Sequence, residues 1–421
     1  MSTIKQQVVR QLGRAAIALA WTLLLAGIVP ASASAQTFQS LYSFTGGNDG
    51  GLPEGPLIWD GKGNLYGTAN SSANGEGNGT VYKFNQRGKL TVLYTFPGEG
   101  GNGANGAGPY GGLTRDAAGN FYGTTYSGGS HTCEFGPCGT VFKLEPSGKE
   151  TVLHNFAGPP HDGANPFNIT LLPGPPGTFY GATYFGGSGN CDPGNPGVCG
   201  TAFAVGSAGH ETIIHNFQGQ GKDGLTPWGN MVQDAQGNMY GTTSEGGEEG
   251  GPECVFAFGC GTLFKLSPNS DGSWTESELY SFTGGSDGEL PMTLAIDAQG
   301  NLYGATAGGG SGWGTLYKLD TTGKFTVLYS FTGGSDGYGA DDVVLDAAGN
   351  LYGTTPQGGA SRDGVVFKLD TAGNFTVLHT FSGTDGKFAG AALSLDKTGT
   401  LYGTTQLGGT YGWGTIYKLT P

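Results

Sequence analysis

Of the 421 residues 85 are glycine, and the formal charge is −14. That glycine content without a pattern would indicate disorder, but here the glycines recur at fixed places between strand-like runs and read as turns. The acidic balance excludes a nucleic-acid partner, whose phosphates require Lys and Arg.

The chain opens as an export signal. Lys5, Arg10 and Arg14 precede an apolar run over residues 15–29, and Ala33, Ser34 and Ala35 offer small residues for cleavage before Gln36. Removing residues 1–35 takes away three cations and no acid, so the charge moves from −14 to −17. No Cys follows the apolar run and no later segment is apolar enough to span a bilayer. The expectation is a monomer, secreted or periplasmic, with residues 36–421 forming one domain.

The next segment, "TFQSLYSF" from Thr37, resembles the last strand of a repeat unit without its predecessors. A "GNLYGTT" motif then follows seven times, with tyrosines at Tyr66, Tyr122, Tyr180, Tyr240, Tyr303, Tyr352 and Tyr402. Each is followed by a "GTVFKL" relative and then an "LYSF" relative. One unit reads as strand A ("MTLAID" from Met292), strand B ("NLYGAT"), strand C ("GTLYKL") and strand D ("FTVLYSF"), with Asp/Gly turns between them. Four strands per unit of about fifty residues predict an all-β, seven-bladed β-propeller. The chain ends on a strand C, so Thr37–Phe44 is expected to complete the last blade and remove an exposed edge.

The combined pattern resembles the GloVer-type tandem-repeat proteins, exported bacterial chains built of "LYSF…GNLYGTT…GG…GTVFKL" units, over nearly all of residues 38–420. That resemblance implies the propeller and the export but no chemistry. Members often carry a C-terminal anchor, and this chain ends at Pro421 without one.

Two carboxylate series recur. Asp60, Asp116, Asp234, Asp297, Asp346 and Asp396 precede strand B, with a strand-C Lys in the same units, and read as an ion pair or a capped turn. Asp49, Asp162, Asp223, Asp287, Asp336 and Asp385 lie in the D-to-A connection, where unit two has Asn105. They read as Asx turns, because Asn serves such a turn equally well. The sharper alternative is a ring at the channel mouth that holds Ca²⁺; no other cofactor is expected. His154, His215 and His379 replace the Tyr of "LYSF" and read as strand residues.

Symmetry breaks in the B-to-C loops. From the motif Tyr to the Gly opening strand C the steps are 13, 17, 20, 21, 11, 12 and 12. The three long, adjacent loops carry all six cysteines as Cys133 and Cys138, Cys191 and Cys199, and Cys254 and Cys260, predicting three local disulfides in an exported chain. Unit four adds Glu245, Glu248, Glu249, Glu253, Phe256 and Phe258, with Trp228 before its strand A. These loops are the expected binding wall for a glycan or an envelope protein. Regular repeats and the lack of a nucleophile elbow or a His-rich metal set weigh against an enzyme. The alternative is a secreted carbohydrate-active or lactonase-type lyase or hydrolase with its site at the channel mouth.

Overall fold

The computed structural model describes residues 36–71, 78–97, 105–133, 136–188, 199–219, 223–247, 254, 258–390 and 393–421. Seven four-stranded sheets follow one another along the chain. In the fourth they are Gly224–Gln233, Met239–Gly246, Thr262–Pro268 and Trp274–Ser281, paired antiparallel in chain order. The seventh takes its outer strand from the other end of the chain: Thr37–Ser43 is hydrogen-bonded beside Thr415–Thr420, and Phe44 N donates to Gly414 O at 2.9 Å. The fold is the expected seven-bladed propeller, closed by its first strand.

The repeated "YG" has a packing cause. At Gly67 an added Cβ would lie 2.5 Å from the Tyr82 hydroxyl, and at Gly123 it would lie 2.8 Å from Phe142 Cζ. Strand B therefore keeps Gly so that a fully buried strand-C ring can lie across it. That ring in turn takes the Phe of "LYSF" from the preceding blade edge-on. All seven pairs, from Phe44–Tyr82 to Phe381–Tyr417, have centroids 5.1–5.5 Å apart. Such pairs add roughly 0.5–1.5 kcal/mol each beyond their buried area. Phe44 comes from the first strand, so Phe44–Tyr82 closes this aromatic belt.

The Asp before strand B caps its turn. Asp116 accepts from Asn120 N, Asn120 Nδ2 and the Tyr122 hydroxyl, and Asp60, Asp234, Asp297 and Asp346 accept equivalently. Among the described residues no ion pair joins these aspartates to the strand-C lysines. Instead Lys83, Lys265, Lys318 and Lys368 lie over the motif Tyr rings at 5.2–5.8 Å. The capped turn is the reading that holds, and the ion pair is not formed.

Cys133–Cys138 and Cys254–Cys260 are disulfides inside their own loops, and Cys199 is disulfide-bonded. Cys191 lies outside the described residues. Among the described residues no helix is long and apolar enough to cross a membrane.

Candidate functional site at the channel mouth

Each D-to-A connection enters its blade through one residue in the left-handed region: Leu52, Gly108, Asn165, Thr226, Leu290, Gly339 and Phe388, with φ between 53° and 67°. In every case its N–H donates to the residue just before strand C of the preceding blade, the carbonyls of Trp413, Asn78, Cys138, Cys199, Cys260, Trp313 and Asp363. Each hook is thereby pinned to its neighbour. Three of the acceptors are disulfide cysteines, so the stapled loops also brace the hooks that enter blades three, four and five.

Two residues beyond each hook stands one position on the entry into each blade; in blade four it is Trp228, which lies inside strand A, Gly224–Gln233, rather than before it. Around the ring it is Glu54, Tyr110, Phe167, Trp228, Met292, Asp341 and Gly390. A scaffold position would repeat; this one does not. Tyr110, Phe167 and Trp228 form a continuous run, with centroids 5.0 Å and 4.9 Å apart. Tyr126 and Tyr184, at the ends of strands B, extend it: Tyr126 lies 5.7 Å from Tyr110 and Tyr184 lies 5.5 Å from Trp228. The Trp228 Nε1 is buried without a hydrogen-bond partner.

The opposite sector is acidic. Asp341 and Glu54 flank Gly390 in the ring, and Asp342 follows Asp341. Burial pushes the Asp341 carboxyl up to about 8, reinforced by Asp342 and then Glu54. Burial likewise raises Glu54 to about 7 against the opposing bond from Asn70 Nδ2, at 2.8 Å. Asp342 rises to about 6, again by burial, while its oxygens accept from Thr293 Oγ1 at 2.6 Å and Leu393 N at 2.9 Å. Carboxyls held near neutrality have the proton affinity that general acid–base work needs. The channel holds a cavity of about 520 Å³ lined from all seven blades, with Leu113, Leu171 and Met231 among its walls and, of the acidic residues above, Asp342 alone.

The residues expected to form the site distribute differently. Trp228 is in the aromatic run. Glu245 is half-buried beside Tyr184, and burial raises its carboxyl. Phe258 is exposed. Glu248, Glu249, Glu253 and Phe256 lie outside the described residues. The D-to-A aspartates turn back to the outermost strand. Asp49, Asp287 and Asp336 accept from Tyr42, Tyr280 and Tyr329, while Asp162, Asp223 and Asp385 bond His154, His215 and His379. Each also accepts a backbone N–H of its own turn, as from Thr45, Ala157 and Gln218. His154, Asp162 and Glu211 form one group of metal-ligand composition at the rim, and His215, Asp223 and Glu276 form another. These two groups are compatible with a bound metal.

Sequence reasoning missed Glu54, Asp341, Asp342 and the rim glutamates Glu211 and Glu276. The available signal for the mouth was a Pro before the variable residue in five units, at Pro53, Pro109, Pro166, Pro227 and Pro291.

The Gloeobacter/Verrucomicrobia repeat matches residues 26–192 and 253–421. The chain belongs to this repeat family. No curated protein matches it in sequence. Among solved structures it is similar to a Mycobacterium tuberculosis puromycin-hydrolyzing peptidase, at 14% identity and TM-score 0.56, over 87% of this chain and 52% of that one. It is also similar to the extracellular domain of a one-component system from B. thetaiotaomicron, at 12% identity and TM-score 0.54, over 92% and 42%. A gluconolactonase from Xanthomonas campestris aligns over 92% and 90% at 15% identity and TM-score 0.45. The chain thus spans about half the length of the first protein and less of the second; the likeness to these two shows the propeller fold.

The expectation weighted against an enzyme is corrected. That expectation counted the lack of a metal set against catalysis, and the chain carries two groups of metal-ligand composition. The reason for the miss is physical: the groups assemble across blades and leave no linear motif.

Proposed function

We propose that this repeat-family propeller is an exported hydrolase of a carbohydrate-class substrate, a sugar lactone or glycoside, with its site at the channel mouth. Residues 1–35 would direct export, and residues 36–421 would act as one domain. The observation that carries the reading is the pair Glu54 and Asp341, two raised carboxyls on either side of Gly390, set in the same ring as three consecutive aromatics.

Near neutral pH one carboxyl of such a pair is protonated and the other ionised, because like charges oppose joint ionisation. The ionised one takes a proton from water as its oxygen attacks the electrophilic carbon. The C–O bond to the leaving oxygen breaks, and the protonated carboxyl donates to that oxygen. Asp341 carries the higher value and is assigned the acid; Glu54 is assigned the base. The aromatic run would hold the apolar face of a sugar ring, and the unpartnered Trp228 Nε1 would donate to a hydroxyl. Turnover of an aldonolactone panel and 4-nitrophenyl glycosides by mature protein tests this reading. Glu54→Gln and Asp341→Asn should each lower kcat at least ~100-fold with the ring intact. Full turnover in both variants would remove the assignment.

A further inference from the structure

We infer that the two His–Asp–Glu groups at the rim are divalent transition-metal sites, suited to Zn²⁺, that clip neighbouring blades together. Each takes His and Asp from one blade and Glu from near the start of the next blade's outermost strand: Glu211 opens Glu211–Asn216, and Glu276 is the third residue of Trp274–Ser281. In each group one donor atom per residue lies within 4.8 Å of the other two.

The repeat supplies its own comparison. Where Tyr280 and Asp287 stand, the third position is Phe325, stacked on Tyr280 at 3.9 Å. Tyr329 stacks on Phe375 at 4.1 Å, and His379 on Phe38 at 3.6 Å. Where the third position is Glu150, the Asp is replaced by Asn105 and the His by Tyr94, and both bond that carboxylate. Thus two carboxylates meet at this point only where a His completes the set. Packing needs neither Glu, since Phe fills the same place in three blades.

With both carboxyls ionised, two carboxylates and one neutral imidazole carry −2, which a divalent ion neutralises, and His with Asp or Glu oxygen is a zinc donor set. Tetrahedral ligands about 2.1 Å from zinc stand roughly 3.4 Å apart. The His154 Nε2–Asp162 Oδ2 and His215 Nε2–Asp223 Oδ1 separations are 2.9 Å and 3.3 Å. Backbone N–H groups of Gly163 and Gly224 orient the aspartates, as outer partners of a metal ligand do. Glu211 Oε1 is buried with no hydrogen-bond partner and so is free to ligate, as is Oε1 of Glu150, where no His completes the set.

Equilibrium dialysis of the mature protein against ZnCl₂, followed by metal analysis, tests the inference. Two zinc ions per chain are expected. Glu211→Gln and Glu276→Gln should each leave one, and the double variant none, while His379→Phe should keep two. A His154→Tyr, Glu211→Phe variant copies the Tyr280–Phe325 stack, so it removes one site with a packing the fold already uses. It should also retain one zinc. Zinc should raise the Tm of the wild-type protein and not that of the double variant, because the ion binds the assembled blades. No retained zinc, or equal zinc in the wild-type and double-variant proteins through surface histidines such as His131 and His210, would overturn the sites.

Discussion

Gly390 leaves the space that the Asp341 carboxylate uses: a Cβ on Gly390 would lie 2.6 Å from Asp341 Oδ2. Its φ is not in the left-handed region, so Ala meets no backbone penalty there. Gly390→Ala should therefore displace Asp341 and cut kcat roughly tenfold or more, for about 1 kcal/mol or less of stability. Kinetics and thermal melts of the same preparation check this. Unchanged kcat would mean that Asp341 has room to do its work elsewhere.

The mouth carboxyls set a pH dependence of stability. Glu54 and Asp341 titrate at about 7 and about 8 in the folded protein, well above unfolded carboxyls at roughly 4. Between those values the native state holds more protons than the unfolded one, so stability falls as pH rises from 4 through 8. Glu54→Gln and Asp341→Asn should flatten that fall and raise Tm at pH 8 by a few degrees, roughly. Melting curves across pH 4–9 decide it; a lower Tm at pH 8 in both variants would show that the ionised forms are the stable ones.

The aromatic run should govern substrate affinity rather than the chemical step. Phe167 is central, touching Tyr110 and Trp228. Phe167→Ala and Trp228→Ala should raise KM about tenfold, in line with 1–2 kcal/mol for a lost ring contact, and change kcat less. Initial-rate kinetics on the turned-over sugar substrate measure the split.

Closure rests on the first strand. Removing residues 36–44 takes Phe44, which is fully buried, away from Tyr82 and strips Phe38 from the cluster around Phe381 and Tyr417. Losing two such rings should cost about 4 kcal/mol or more. A truncated protein that melts at the wild-type temperature would contradict the closure.

The ring was legible in the sequence because its packing needs the same residues seven times. Gly67 must admit Tyr82 as Gly403 must admit Tyr417, so the motif cannot drift. The rim glutamates were also visible in principle: "ETVL", "ETII" and "ESEL" all put Glu where "FTVL" has Phe. Their partners were not, because His154 and Glu211 meet only when one blade's outer strand ends against the next. The mouth was hidden for a related reason. Its hook residue is Leu, Gly, Asn, Thr or Phe, so no consensus marks it, and the variable residue two places on looks like loop drift. Only the fold reveals that Glu54 and Asp341 bracket Gly390 while Tyr110, Phe167 and Trp228 stand in a row.

The most direct measurement is kcat for aldonolactone and 4-nitrophenyl glycoside hydrolysis by the mature protein, beside Asp341→Asn, Glu54→Gln and the rim variant Glu211→Gln. The account predicts turnover in the wild-type protein, a loss of at least ~100-fold in both mouth variants, and retention in the rim variant. Turnover that survives both mouth variants, or no turnover of either substrate class by folded wild-type protein, would contradict a hydrolytic site at the channel mouth.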